Sequence, residues 1–559
     1  MVTKQAIATG ARLDSTPRPL TDLFDATVLK HPEWAAIDFM GRVTSYAELA
    51  EAVRHAAAGL QDLGVGAGTR VALCMPNMPH YPILFLATLR LGGVVVNVNP
   101  LYVERELHHL LEDSGAQVIA TCDLTDVHAR VSAVAAELGV QHVITCPIAE
   151  GLPTLQRIAY RLFRRKDIAP ARHEPQHITY HDMVARRGEP TPVAVSPDGV
   201  AVLQYTGGTT GLPKAAMLTH ANLVVNADAM VVHVGGESAT QDRVLGVLPL
   251  FHVFALTTVL SFSIRVGAQM ILMPRFRLED ALKTIARTRP TFFPAVPTIF
   301  GAIAGVAATR SIDLSNIRAC ISGGAPLPAE VHDAFTRTTG ARLVEGYGLS
   351  EASPIITCNP IDGPARAGSA GVPFPGTTIE IRDLADPARL CPEGERGEIC
   401  ARGPQVMKGY WGRDDETRKV FVDGALRTGD VGYLDPDGYL FIVDRIKDVI
   451  ISSGYNVYPR VIEDALYEHP AVAEAVVIGV DDQYRGQSPK GFVTLKPGAS
   501  ATPEELRAFL ADKVSKIELP HDIEIRDALP KTLIGKLSKK ELVEESKGRG
   551  AALGGGGGQ

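Results

Sequence analysis

Apolar residues in this chain keep two rhythms that alternate. Around Leu49 to Leu63 and again from Tyr81 to Leu91 they recur at helical spacing. Val71 to Met75 and Val94 to Val98 are instead short, largely apolar, strand-like runs bounded by turn residues. Each helical stretch precedes a glycine-containing turn and then such a run, the order expected of α/β layers. Between Glu150 and Gly199 the rhythm weakens, and proline, arginine and histidine accumulate. Within that region 155–166, LQRIAYRLFRRK, predicts a short basic amphipathic helix. It has two readings: a solvated helix on a surface insertion, which we prefer, and a helix drawn to anionic lipid headgroups.

One segment imitates a membrane span. Residues 244–264, VLGVLPLFHVFALTTVLSFSI, contain no Asp, Glu, Lys or Arg over about the length of a bilayer crossing. Pro249, His252 and two serines interrupt it, and Arg265 and Gly267 follow at once, which favours a buried strand and helix lining a pocket. The N-terminus, MVTKQAIATGARLDSTPRPL, lacks the apolar core of a secretory signal, and the closing GRGAALGGGGGQ reads as a flexible tail.

Composition narrows the class. A chain of 559 residues should divide into two or more folding units. With 45% hydrophobic and 21% charged residues it fits a soluble globular enzyme. The net charge of −7 and the lack of a long basic stripe argue against a nucleic-acid partner. Seven scattered cysteines, odd in number and without a Cys-x-x-Cys pair, suit reduced thiols in a cytoplasmic protein.

Three glycine-bearing clusters then carry the candidate chemistry. The run 205–214, YTGGTTGLPK, offers Gly207, Gly208 and Gly211, whose backbone can turn successive amides toward one anion. Thr206, Thr209, Thr210 and Lys214 add hydroxyl donors and a charge. The spacing is not Walker A, because Leu212 and Pro213 part Gly211 from Lys214. So many donors point to polyphosphate, hence ATP, over a surface turn. The second cluster, EGYGLSE at 345–351, follows the small-residue turn SGGAP at 322–326 and predicts a nucleoside and metal site. There Tyr347 can stack on a base, Gly324 and Gly348 allow close approach, Ser350 supplies a hydroxyl and Glu351 a hard oxygen ligand for Mg²⁺. In the third, at 427–459, Asp430 sits in a Thr-Gly-Asp turn where a carboxylate can grip ribose hydroxyls, and Arg445 and Lys447 follow a strand at Tyr439 to Val443, where a hinge would fall. Near the C-terminus, 529–536, LPKTLIGK, presents Lys536 on a glycine turn.

In combination and order these motifs resemble the acyl-adenylate-forming ligases, and among them the bacterial long-chain fatty acid–CoA ligases. The likeness covers about residues 20–547 and includes PLFHVFAL at 249–256, VPTIF at 296–300, GPQVMKGYW at 403–411 and DRIKDVIISSGYNVYP at 444–459. The resemblance implies an α/β protein: a large N-terminal domain of α/β subdomains plus a distorted β-barrel over 1–443, a small mobile α+β C-terminal domain over 444–548, and the tail 549–559. It implies ATP, Mg²⁺ and coenzyme A as cofactor and co-substrates. In it Thr206 to Lys214 hold the triphosphate, Tyr347 stacks on adenine, Asp430 takes the ribose, Arg445 contacts the nucleotide, Glu351 binds magnesium and Lys447 is the hinge. Lys536 is the adenylation lysine, His252 lies near the acyl carboxylate and thioester gate, and Gly454 borders the pantetheine tunnel.

The chemistry expected is two-step: the acid's carboxylate attacks the α-phosphorus of ATP and pyrophosphate leaves, then the CoA thiol displaces AMP. The aliphatic and aromatic run from Phe251 to Phe262, with Phe292, Phe293 and Ile299, is a candidate acyl channel or simply core. Relatives commonly read Tyr-Lys-Val-Pro where this chain has Ile517, Glu518, Leu519 and Pro520. That departure leaves the acceptor open between CoA and a carrier protein. A binding protein that has lost catalysis and an acyltransferase built on His108, His109 and Asp113 are the rival classes. Peripheral membrane association and a homodimer stay open as well.

Overall fold

The computed structural model describes residues 13, 16–170, 174, 176–185, 188–206, 213–307, 310, 312–363, 366, 368–453, 455–482, 484–531 and 537–554, the last eight by backbone only. Two large sheets, largely parallel, carry the N-terminal part. The seven-stranded sheet runs His177–Thr179, His142–Cys146, Val118–Cys122, Arg70–Cys74, Val94–Asn97, Val200–Thr206 and Lys214–Thr219, parallel except for the last pair. In the nine-stranded sheet the strands Leu343–Gly348, Ala319–Ser322, Phe292–Ala295, Arg243–Gly246, Gln269–Leu272 and Ala35–Phe39 lie parallel in that order, with antiparallel strands at both edges. Helices cross over between parallel strands and bury their apolar faces in one continuous core.

Local chemistry sets the element ends. The helix expected from Leu49 begins earlier, as Tyr46–Asp62, because Ser45 and Glu48 form a reciprocal capping box. The uncharged 244–264 segment is divided among the strand Arg243–Gly246 and the consecutive helical turns Val253–Ala255, Leu256–Ser261 and Phe262–Val266, which end at Gly267 with φ 71°. Among the described residues no helix is long and apolar enough to cross a membrane. Its apolar residues are spent on the interior instead: Leu256, Val259, Leu260 and Phe262 are fully buried.

The distorted barrel takes the form of a five-stranded antiparallel sheet of Thr378–Arg382, Gly397–Arg402, Phe421–Val422, Ala425–Leu434 and Leu440–Arg445, whose pairings do not close into a ring among the described residues. Pairing to this sheet continues through Arg445, which lies opposite Asp430. A single tight turn, Ile446–Asp448, then leads to a smaller α+β unit with its own sheet and a separate core around Ile462, Leu466, Val477, Val493, Leu506 and Leu510. One expectation is corrected at the end of the chain. The tail expected from 549 is helical as far as Gly554, because Lys539–Gly554 is one helix and Ala551, Ala552 and Leu553 have the propensity to extend it.

Candidate active site

Thr206 and Tyr347 stand at the C-terminal ends of their strands, one in each large sheet, the usual address of ligands in α/β folds. Thr206 closes the strand Val200–Thr206 and pairs with Lys214, the first residue of the next strand; the Thr206 hydroxyl donates to the Lys214 carbonyl at 3.4 Å. Gly207, Gly208, Thr209, Thr210 and Gly211, the remainder of the phosphate loop, lie outside the described residues. The segment 408–411 is laid along the outer side of Lys214–Thr219 through Met217 N–H to Gly409 O and Trp411 N–H to Ala215 O. That docking sets Tyr410 beneath Lys214, whose ammonium is 5.4 Å from the ring centroid and ion-paired to Glu416. Lys214 and Lys419 hold the Glu416 carboxyl down at about 2. Polyphosphate would compete with Glu416 for the Lys214 charge.

Tyr410 also reaches the second cluster. Its phenol donates to Glu351 Oε1 at 2.8 Å. Glu351 stands in the turn Ser350–Ala352 directly after Leu343–Gly348, tied to the same segment by Met407 N–H to the Glu351 carbonyl. Enclosure by protein pushes its carboxyl above the usual range, against the pull of the Tyr410 phenol and the Arg445 charge. Among the described residues no group of three or more His, Cys, Asp or Glu could hold a metal. A lone carboxylate beside a phosphate loop nevertheless fits Mg²⁺, which takes one or two protein oxygens and completes its octahedron with water and phosphate.

The third cluster meets the second. Tyr347 donates its phenol to Asp430 Oδ2 at 2.5 Å, and Arg445 Nε stands 3.4 Å from Asp430 Oδ1. Burial raises the Asp430 carboxyl, moderated by Arg445 and by the Tyr347 hydrogen bond. Gly348 has a backbone reason of its own: a methyl there would stand 2.1 Å from the Pro354 carbonyl oxygen. Gly324 has φ 81°, which suits glycine. Glu345, on the same strand as Tyr347, faces Arg460 and Asp464 of the smaller unit. Burial pushes its carboxyl up to about 7, against the Arg460 charge and the Leu327 amide.

His252 caps the turn Val253–Ala255, its Nδ1 accepting from Phe254 N–H at 3.3 Å. The segment leading to it is clamped between the two large sheets. Asn77 donates to the Gly246 and Leu248 carbonyls and accepts from Leu250 N–H, while Tyr81 donates to Asn97 Oδ1 at 2.6 Å and to Leu250 O. Asn97 donates to Gln204, and Gln204 to the Phe251 carbonyl. Sequence reading missed this clamp, as it missed Tyr410 and Glu416. Asn77 and Asn97, isolated amides beside apolar runs, were the available signal. The His-His-x-x-x-Asp match dissolves into separate contacts: His109 Nε2 meets the Pro213 carbonyl, His108 lies near Glu112 and Glu137, and Asp113 accepts from Tyr205 and Arg413. Glu518, at the departure from the relatives' pattern, accepts from Ser515 N–H and hydroxyl in a local turn. Gly454 and Lys536 lie outside the described residues; Lys531 and Leu537 form an antiparallel bridge.

Comparison with known proteins agrees with this geometry. Residues 24–411 match the AMP-binding enzyme family and residues 461–536 the AMP-binding enzyme C-terminal domain. The chain is 40% identical over 534 residues to a long-chain-fatty-acid–CoA ligase of Bacillus subtilis (strain 168), covering 94% of each. To a long-chain-fatty-acid–CoA ligase of Escherichia coli O6:H1 it is 37% identical over 542 residues, covering 95% of each. The crystal structure of the anthranilate CoA ligase AuaEII in complex with anthranoyl-AMP superposes with a TM-score of 0.85 at 26% identity, over 97% of this chain and 100% of that one. With matches to both family domains over most of the chain and 40% identity to a curated relative, this chain belongs to the AMP-binding enzyme family of acyl-adenylate-forming ligases.

Proposed function

We propose that the protein activates a long-chain fatty acid with ATP to acyl-AMP and pyrophosphate, then passes the acyl group to coenzyme A and releases AMP. The observation that carries this reading is the 40% identity, across 94% of both chains, with a long-chain-fatty-acid–CoA ligase. The names of the relatives favour CoA over a carrier protein as acceptor.

Activation is needed because a free carboxylate is a poor electrophile, and AMP turns its oxygen into a good leaving group. Two anions must meet in the first step, so the chain's task is to neutralise charge where it redistributes. Lys214 and the hydroxyl of Thr206, with Gly207, Gly208, Thr209 and Thr210, would hold the phosphates. Asp430 would exchange its Tyr347 and Arg445 partners for ribose hydroxyls, leaving the Tyr347 ring to stack on adenine. Glu351 would hold Mg²⁺, which when bound neutralises the leaving diphosphate. Lys536 would deliver a cation for adenylation and withdraw for thioester formation as the smaller unit turns about Lys447. His252 and the Phe251–Phe262 run would border the acyl group, each buried methylene contributing about 0.8 kcal/mol.

A panel of acids from acetate to oleate, with anthranilate as an aromatic member, tests the reading through ATP-dependent thioester formation with CoA. The expected result is turnover that rises with aliphatic length. A preference for the aromatic acid, or acyl-AMP that accumulates with CoA present, would overturn it. Lys536→Ala should lower ATP–pyrophosphate exchange by about 10²–10³ while preformed acyl-AMP still reacts with CoA.

A further inference from the structure

The helix Thr154–Phe163 is mounted with its apolar side outward. None of its residues is buried; Arg157 and Tyr160 are half-buried, and Tyr160 packs on the main core. Leu155, Ile158 and Leu162, which share one face at i, i+3 and i+7, are 83%, 51% and 70% exposed, and Phe163 beside them is 84% exposed. An ordinary surface helix buries this stripe and shows solvent its charges. Here the tyrosine tethers the helix and the stripe is left open. The hairpin tip at Met40 and Gly41 enlarges the patch: a methyl on Gly41 would lie 3.8 Å from Pro153 Cγ at the helix start, and Met40 and Val43 are exposed. Large exposed apolar clusters of this kind mark interaction surfaces.

Charge identifies what covers it. Residues 154–167 carry Arg157, Arg161, Arg164, Arg165 and Lys166 against one acid, Asp167, which pairs with Arg164, in a chain whose net charge is −7. The nearby Glu150 is engaged with His80. We propose that this helix, with the Met40–Val43 tip, docks in the headgroup region of an anionic lipid bilayer. The aliphatic stripe and Phe163 enter the acyl boundary, and the flanking cations meet phosphate. The sequence favoured a merely solvated helix because composition does not say which face looks outward. The benefit of docking rests on the proposed long-chain substrate, which partitions into membranes; the docking itself does not.

Flotation of the purified full-length protein with vesicles of phosphatidylcholine and phosphatidylglycerol, against phosphatidylcholine alone, tests the proposal. Binding should need the anionic lipid and weaken with salt. The charge reversals Arg161→Glu and Arg165→Glu together, or Leu162→Asp with Phe163→Asp, should each weaken it by more than about tenfold, since one lost cation near such a surface is about fivefold. All four positions are exposed, so the fold should survive, checked by an unchanged melting curve. Thioester formation from detergent-dispersed acid should be unchanged in both variants, and that from vesicle-loaded acid should fall. Wild-type-like flotation of both variants, or no flotation of the wild type, overturns the docking while leaving the ligase reading intact. Failure to activate any long-chain acid even from detergent overturns that reading instead. A dimer in the wild type that the apolar double variant abolishes, without vesicle binding, would make the face a protein interface and also refute docking.

Discussion

Two polar networks, one charged and one neutral, are built on opposite terms. In the first, Glu351, Asp430 and Glu345 are carboxyls that burial pushes upward, each restrained by a neighbouring donor or cation. Beside the segment 246–251, Asn77, Tyr81, Asn97 and Gln204 are neutral, almost wholly buried, and satisfied by one another and by backbone. The first holds charge that, on the proposed reading, a cation, ribose or moving lobe would recruit. The second holds shape and leaves nothing for a ligand to recruit. Function and framework are thus separated by whether a group's bonds are complete before substrate arrives.

The largest effect expected from breaking this contrast is at Glu351. Glu351→Gln keeps the shape and the Tyr410 contact but removes the charge, so ATP–pyrophosphate exchange should fall by about 10²–10³. Because ionisation of this enclosed carboxyl opposes folding, denaturant midpoints should hold or rise. A variant that loses stability instead would place Glu351 with the framework. Asn77→Ala should do the reverse, leaving the Gly246 and Leu248 carbonyls and the Leu250 amide unpaired at a cost of about 3 kcal/mol in urea unfolding, with little change in exchange per folded molecule. The smallest effect is a pH signature. Glu345 titrates at about 7 when folded, against 4.5 for an ordinary glutamate. Between those values the unfolded chain releases a proton that the folded carboxyl keeps, so native stability declines as pH rises through the window. Melting curves of Glu345→Gln should lack that decline; an identical slope in both proteins would remove Glu345 from the charged set.

The charged network was largely legible because most of its members lie in or beside glycine-bearing motifs with repeated donors: Thr206, Lys214, Tyr347 and Arg445 fall at or next to strand ends, Glu351 in the turn Ser350–Ala352 and Asp430 within Ala425–Leu434. Alternation of helical and β-branched runs likewise gave the parallel layers. The framework was not legible, since Asn77, Asn97 and Gln204 gain meaning only when two sheets meet across the segment 246–251. Tyr410 was quoted within a motif without a role, as its partner Glu351 lies 59 positions away. The orientation of Thr154–Phe163 was hidden for the same reason: spacing defines a face, and tertiary contact alone decides where it points.

Asp430 and Arg445 stand opposite each other in one ladder, and the chain leaves that ladder immediately after Arg445. The carboxylate proposed to grasp a sugar and the last rung before the small lobe are therefore neighbours across a single pair of strands. By reciprocity, if the proposed nucleotide site alters the tilt of that lobe, the tilt would return as a change in nucleotide affinity of equal size. A crank and its sensor share one axle.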